Sequence, residues 1–224
     1  MPAYRGAVQF SSTDTAATLP GAYTFTAADS GVHLFTAVMK TVGSQTLTVA
    51  DTTNGSIMGN QTLTVTAAAA NRVAANTGTT PQRATVGVAF SAMLAVTVKD
   101  TYNNPVPGIS VTFVAPGNGT RGLFGGGDAA VSVTTDGSGV ATAPSFTANG
   151  IAGSYTVAVM VPGLATSTPF AMTNLPGPTT HFVLGAPASA VAGASFALTV
   201  TAADSFGNMA TGYRGTIQLA STDA

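Results

Sequence analysis

The chain contains no cysteine, and all eight of its acidic residues are aspartate, so glutamate is absent altogether. Without thiols there is no disulfide framework and no thiol chemistry. Charged residues make up only 7 % of the sequence, against roughly 25 % in an ordinary soluble domain. Glutamate and lysine suit exposed helix faces, so their scarcity argues against helices. The seven lysines and arginines stand singly and the net charge is −1. That leaves no electrostatic footprint for a nucleic acid or an acidic membrane surface. No apolar run approaches the ~18 residues of a membrane span, so no direct membrane insertion is expected. Met1-Pro2-Ala3-Tyr4-Arg5 offers neither a basic nor an apolar leader region, which places any export signal outside this chain.

What fills the space is threonine, valine, alanine, serine and glycine. Hydrophobic residues reach 45 % of the 224, enough to build cores, and β-branched residues fit a pleated, half-buried surface. The chain also repeats itself. Residues 4–14 read YRGAVQFSSTD and residues 213–223 read YRGTIQLASTD, in register 209 positions apart. Such self-similarity signals a tandem array, and the period suits two β units of about 100 residues each. A fainter repeat supports that division. Val96-Thr97-Val98-Lys99-Asp100 leads into Thr101-Tyr102-Asn103-Asn104, and Val200-Thr201-Ala202-Ala203-Asp204 leads into Ser205-Phe206-Gly207-Asn208. The expected division is therefore residues 1–68 as the later part of one unit, 69–176 as a whole unit and 177–224 as the first part of the next.

Within the middle segment, alternating runs separated by turn signals predict seven strands: 83–90, 93–99, 109–115, 129–135, 139–147, 153–161 and 166–173. Tyr155, Val157 and Val159 share one face, as do Val111 and Phe113. Asp136-Gly137-Ser138-Gly139 predicts a hairpin turn, because Asp and Gly tolerate positive φ. An odd number of antiparallel strands would put the two flanking segments at opposite ends of the middle one.

The run Val96 to Phe113, reinforced by Thr134-Thr135-Asp136-Gly137-Ser138-Gly139-Val140-Ala141 and by Ala152-Gly153-Ser154-Tyr155-Thr156-Val157, resembles the bacterial Ig-like domains of group 1. These occur in invasin- and intimin-like surface proteins. The resemblance covers the middle segment fully and the flanking segments more loosely. It implies an all-β fold of immunoglobulin-like β-sandwich repeats, one complete and two partial, outside a bacterial cell or on its surface. It carries over no catalytic residue and no cofactor.

Candidate sites are few. Asp100 with Asn104, and Asp204 with Asn208, fit capped turns at strand ends; calcium would want six to eight oxygens, with several carboxylates, and the acids here come one per loop. His33 and His181 lack the converging partners that a metal or a general base requires. Gly125-Gly126-Gly127-Asp128 lacks the Lys-Ser/Thr pair of a phosphate loop and reads as a connection between strands. Two places could touch a ligand. One is Tyr213-Arg214, whose counterpart is Tyr4-Arg5, since an aromatic beside an arginine can stack on a sugar. The other is the loop Gly117–Gly127, through Arg121 and Phe124. No catalytic residue and no metal site is expected. The leading expectation is a non-catalytic structural spacer of a repetitive surface or secreted protein, serving adhesion. The alternative is a module binding a carbohydrate or a host receptor. Expected partners are the neighbouring repeats, with head-to-tail association of the two partial ends.

Overall fold

The structure, a computed structural model, describes residues 4–165 and 169–222; among them lie sixteen strands and no helix. The first four are β1 (Ala7–Ser12), β2 (Tyr23–Thr24), β3 (Gly43–Asp51) and β4 (Met58–Val65), joined in one antiparallel sheet in the order β2-β1-β3-β4. Ten strands follow in the middle of the chain: β5 (Arg72–Ala75), β6 (Gln82–Thr85), β7 (Ala95–Lys99), β8 (Ser110–Val114), β9 (Gly122–Phe124), β10 (Ala130–Thr134), β11 (Val140–Thr142), β12 (Phe146–Ala148), β13 (Gly153–Met160) and β14 (Phe170–Leu175). One layer of this sandwich is the sheet β10-β8-β13-β14-β6; the facing layer holds β11-β7-β5 and the pair β12-β9. Last come β15 (His181–Gly185) and β16 (Thr199–Ala203), paired only with each other.

The middle sandwich forms because two alternating faces meet. Val96 and Val98 of β7, with Leu94 just before them, pack against Val111 and Phe113 of β8 and Val157 and Val159 of β13. All are almost completely buried. Burying each such side chain contributes about 1.5–3 kcal/mol. Rings join the two layers: Phe124 lies 4.6 Å from Phe146 and 6.4 Å from Phe113, and Phe113 lies 6.0 Å from Phe170. Thr residues fill the outward positions, where Thr112 and Ser132 hydrogen-bond across β8 and β10.

The all-β architecture is the one expected, with differences in detail. The middle has ten strand segments where seven are predicted. β5 and β9 are additional. The run 139–147 splits into β11 and β12 around Pro144, which has no N–H to donate. That break lets the strand leave β7 and continue against β9. The strand expected over 83–90 ends at Thr85, before Gly87 turns the chain at φ 77. Asp136–Gly139 does make a tight turn, with Asp136 accepting from the Ser138 and Val140 N–H groups. It is not a hairpin, because β10 pairs with β8 whereas β11 pairs with β7 in the other layer. Residues 166–168 of the last expected strand, and Asp223 of the second YRG repeat, lie outside the described residues.

Strand parity is not what sets the two ends. β14 runs parallel to β6, so the first and last strands of this sheet point the same way and the chain begins and finishes the middle sandwich at opposite ends. β8 starts at the end where the loop 100–104 lies. β13, antiparallel to β8, starts at the other end beside loop 149–152.

Candidate functional site

Two matching polar clasps stand one at each end of the middle sandwich. Asp100 ends the run of β7 and is almost completely buried. Its Oδ1 accepts hydrogen bonds from the N–H groups of Tyr102 and Asn104, both at 2.8 Å. Its Oδ2 accepts from the Ala68 N–H at 3.0 Å and from Asn104 Nδ2 at 2.9 Å. The first pair closes the turn. The Ala68 bond ties the connecting segment after β4 to that turn.

Asn104 then reaches across to the first sheet's side. Its Nδ2 donates to the Lys40 carbonyl at 2.7 Å and its Oδ1 accepts from the Val42 N–H at 3.2 Å. A carboxamide carries one donor group and one acceptor in a plane, as a peptide does, so it can bracket a single residue of extended backbone. Here the bracketed residue is Thr41. The receiving loop is held from its own side by Asp14, which accepts from the Lys40 and Thr41 N–H groups at 2.6 and 2.9 Å and from the Thr41 hydroxyl at 2.7 Å. Those bonds, the Lys40 N–H first, hold the Asp14 carboxyl well below the usual range.

The second clasp repeats this bond for bond. Asp204 Oδ1 accepts from the Phe206 and Asn208 N–H groups at 2.9 Å each, and its Oδ2 accepts from the Gly177 N–H at 2.8 Å and from Asn208 Nδ2 at 3.0 Å. Asn208 Nδ2 donates to the Gly150 carbonyl at 2.9 Å and its Oδ1 accepts from the Ala152 N–H at 2.8 Å, bracketing Ile151. Here the receiving loop is braced by Asn149, whose Oδ1 accepts from the Ile151 and Arg121 N–H groups and from Asn174 Nδ2. Burial pushes the Asp204 carboxyl up, but the hydrogen bonds from Asn208, Gly177 and Phe206 outweigh it and bring the pKa down to about 2. The same opposition leaves the Asp100 carboxyl lowered.

Local conformation matches too. Asn103 at φ 72 and Gly207 at φ 84 take the left-handed position just before each clasping asparagine. The ring of Phe206 sits where a Cβ on Gly150 would meet it at 2.5 Å, so glycine is what lets the two surfaces close. At both turns, capping by Asp is as the sequence predicts. The bonds across each junction were not expected, although the recurrence of D-x-x-x-N where one repeat meets the next was their available signal.

The expected ligand contacts fare unevenly. Phe124 cannot serve as one: it is 2 % exposed and belongs to the core, against Phe146 and Phe113. Its place within the glycine-rich stretch 117–127 hides the short strand β9. Arg121 turns its guanidinium to the Gly117 carbonyl, while its backbone carbonyl accepts from Asn174 Nδ2. Tyr213 packs edge-on against Phe182 at 5.2 Å, and exposed Arg214 donates to the Thr211 and Tyr213 carbonyls. Both residues line an open groove of about 860 Å³ beside the second clasp, together with His181 and residues 175–180. Tyr4 donates to Asp51 and packs on Phe25, and Arg5 donates to the Thr26 carbonyl. His33 is held between Asp29, 2.7 Å from its Nδ1, and the face of Tyr23 at 3.9 Å. His181 touches the Thr180 hydroxyl. Among the described residues no three His, Asp, Glu or Cys side chains come together as metal ligands.

No family model matches the chain, and no curated protein matches its sequence. Solved structures do. FdeC, an Escherichia coli adhesin, is similar at 20 % identity with a TM-score of 0.53, over 94 % of this chain and 66 % of that one. InvD of Yersinia pseudotuberculosis is similar at 18 % identity with a TM-score of 0.47, over 92 % of this chain and 62 % of that one. Invasin, a bacterial integrin-binding protein, is similar at 18 % identity with a TM-score of 0.43, over 94 % and 41 %. The chain thus spans 66 % and 62 % of the first two. It shares with FdeC an all-β, immunoglobulin-like fold.

Proposed function

We propose that the chain is a non-catalytic stalk segment of a repetitive bacterial surface or secreted protein serving adhesion, built of Ig-like units at 1–68, 69–176 and 177–224. The observation that carries this reading is the repeated clasp. A flexible string needs no bonds between its beads. Here each junction spends a buried aspartate and a buried or half-buried asparagine on holding its neighbour in one orientation. The work such geometry can do is mechanical: it transmits orientation and distance along the chain. The adhesin relative FdeC supports the setting, and the near-neutral Thr/Ser surface suits a part that presents something else.

The test exploits the absence of native cysteine. Spin labels at Asn60→Cys and Ser132→Cys span the first junction, and labels at Ser132→Cys and Thr199→Cys span the second. A rigid stalk gives one narrow distance distribution for each pair, broadened by Asn104→Ala and Asn208→Ala respectively. Broad distributions in the unaltered junctions would overturn the stalk reading.

The groove beside the second clasp favours a second reading, in which the chain itself binds a glycan or a host-cell receptor. Tyr213 offers a partly exposed ring and Arg214 a cation at its rim, a combination suited to a sugar face. Saturable binding on a glycan panel that Tyr213→Ala abolishes would establish it. Binding unaffected by that substitution removes the groove from consideration.

A further inference from the structure

We infer that Arg72 and Lys99 form a site on the outer face of the middle sandwich for the carboxylate or sulfate group of an acidic polysaccharide. The site is a shallow groove of about 430 Å³ over β5 and β7, walled by these two cations with Asn76, Thr77 and Thr97. It lies wholly within the middle sandwich. It goes beyond the stalk reading and does not depend on it.

The seven lysines and arginines stand singly in sequence, yet the fold sets two of them face to face. Arg72 and Lys99 are direct partners in the β5–β7 ladder. Like charges so placed repel and cost stability unless something neutralises them. Among the described residues neither cation meets a carboxylate, the one ion pair being that of His33 with Asp29. Both donate instead to a single neutral oxygen, Asn103 Oδ1, Lys99 Nζ from 3.3 Å. Asp100, the acid next to Lys99 in sequence, spends both its oxygens on the clasp. The fold does not require this arrangement. At the matching places around β15 and β16, His181 pairs with Ala203 and Gly207 stands where Asn103 does, and the second clasp closes with the same bonds.

An oxyanion seated between the two cations accepts from both and removes their repulsion. The planar fork of guanidinium N–H groups matches the paired oxygens of a carboxylate or sulfate, and the ammonium adds a point charge. The rest of the groove points to a sugar as the carrier. Ala74 lies between Arg72 and Asn76 along the chain, so the floor is low and open. Thr97 donates to Asn76 Oδ1 at 2.7 Å. That bond leaves the Asn76 amino group, which has no partner among the described residues, as a donor to a ring hydroxyl. Thr77 adds a hydroxyl. A peptide partner would need a recess for an apolar side chain, and no large apolar residue lines this groove.

The test titrates the full chain, at low ionic strength, into fluorescein-labelled polygalacturonate, dextran sulfate, neutral dextran and polyglutamate, followed by fluorescence anisotropy. Polygalacturonate or dextran sulfate should bind saturably, the first marking a carboxylate site and the second a sulfate site, and neutral dextran should not bind. Arg72→Ala and Lys99→Ala should each weaken binding about fivefold or more, the worth of one exposed charge contact. Arg83→Ala removes an equal charge from an exposed position on β6 of the same sandwich and should leave binding unchanged. Asn103→Asp supplies a carboxylate from within the protein. It should abolish binding and raise the thermal unfolding midpoint, both effects shrinking as salt is added. Absence of saturable binding to both acidic polysaccharides overturns the inference. So does binding that Arg83→Ala weakens as much as Arg72→Ala, or a midpoint that Asn103→Asp fails to raise. Polyglutamate binding as tight as either polysaccharide also overturns it, in favour of an acidic-peptide site. The stalk reading is judged separately, by distances across the junctions, and each of these outcomes leaves it standing.

Discussion

Replacing Asn104 with alanine removes a side chain that bonds to both sides of Thr41. Two hydrogen bonds across the proposed junction are lost, to the Lys40 carbonyl and from the Val42 N–H. A neutral hydrogen bond is worth about 0.5–1.5 kcal/mol net, so docking at this junction should weaken by about 1–3 kcal/mol. At about 1.4 kcal/mol per factor of ten, that raises the undocked population by roughly 5- to 150-fold. Amide hydrogen exchange at Ala68 reads this population, because its acceptor at the same turn, Asp100 Oδ2, survives the substitution. The Ala68 amide in Asn104→Ala should exchange faster by roughly that factor. The Gly177 amide, protected by Asp204 at the other junction, should not change, and Asn208→Ala should reverse the pattern. Equal exchange at Ala68 with and without Asn104 would refute the argument that the carboxamide holds the junction. Acceleration at both junctions together would show unfolding of the middle sandwich instead.

Gly150→Ala places a Cβ 2.5 Å from the Phe206 ring, so it should broaden the distance distribution at the second junction alone; adding Phe206→Ala should restore part of the order. The clasp aspartates have lowered pKa values, Asp204 to about 2 from 3.8. A depressed folded-state pKa means stability is present above the unfolded value and lost as pH falls through the folded one. Both junctions should therefore be fully closed at pH 5, and the second should open progressively between about pH 4 and pH 2, followed by Ala152 amide exchange. Leu94→Ala, in the closed core, should cost about 2–5 kcal/mol in denaturant unfolding, whereas Leu198→Ala at the equivalent exposed position should cost far less in the monomer.

The fold was legible in the sequence where alternation is clean. Val96 and Val98, Val111 and Phe113, and Tyr155, Val157 and Val159 all share faces as the period of two requires. β9 was not legible: Gly122-Leu123-Phe124 is too short to show a period and sits between glycines. Nor was the splitting of 139–147, since a proline marks a break without saying which sheet the chain joins next. The clasps were half legible. Asp100 and Asn104 announce a capped turn through residues two to four positions apart, and local chemistry predicts that well. The bonds from Asn104 to residues 40 and 42 span more than sixty positions, and only the recurrence of the pair at Asp204 and Asn208 hinted at them.

The two clasps close with the same bonds at corresponding places, and that sameness has a geometric consequence. If the shared bonds alone set the rotation and translation that carry one proposed unit onto the next, the same step is repeated at the following junction. A longer run of such units would advance as a screw with a single pitch. Side chains at a given position would recur at fixed heights and azimuths, and the array would act as a ruler whose graduations are set by two asparagine carboxamides.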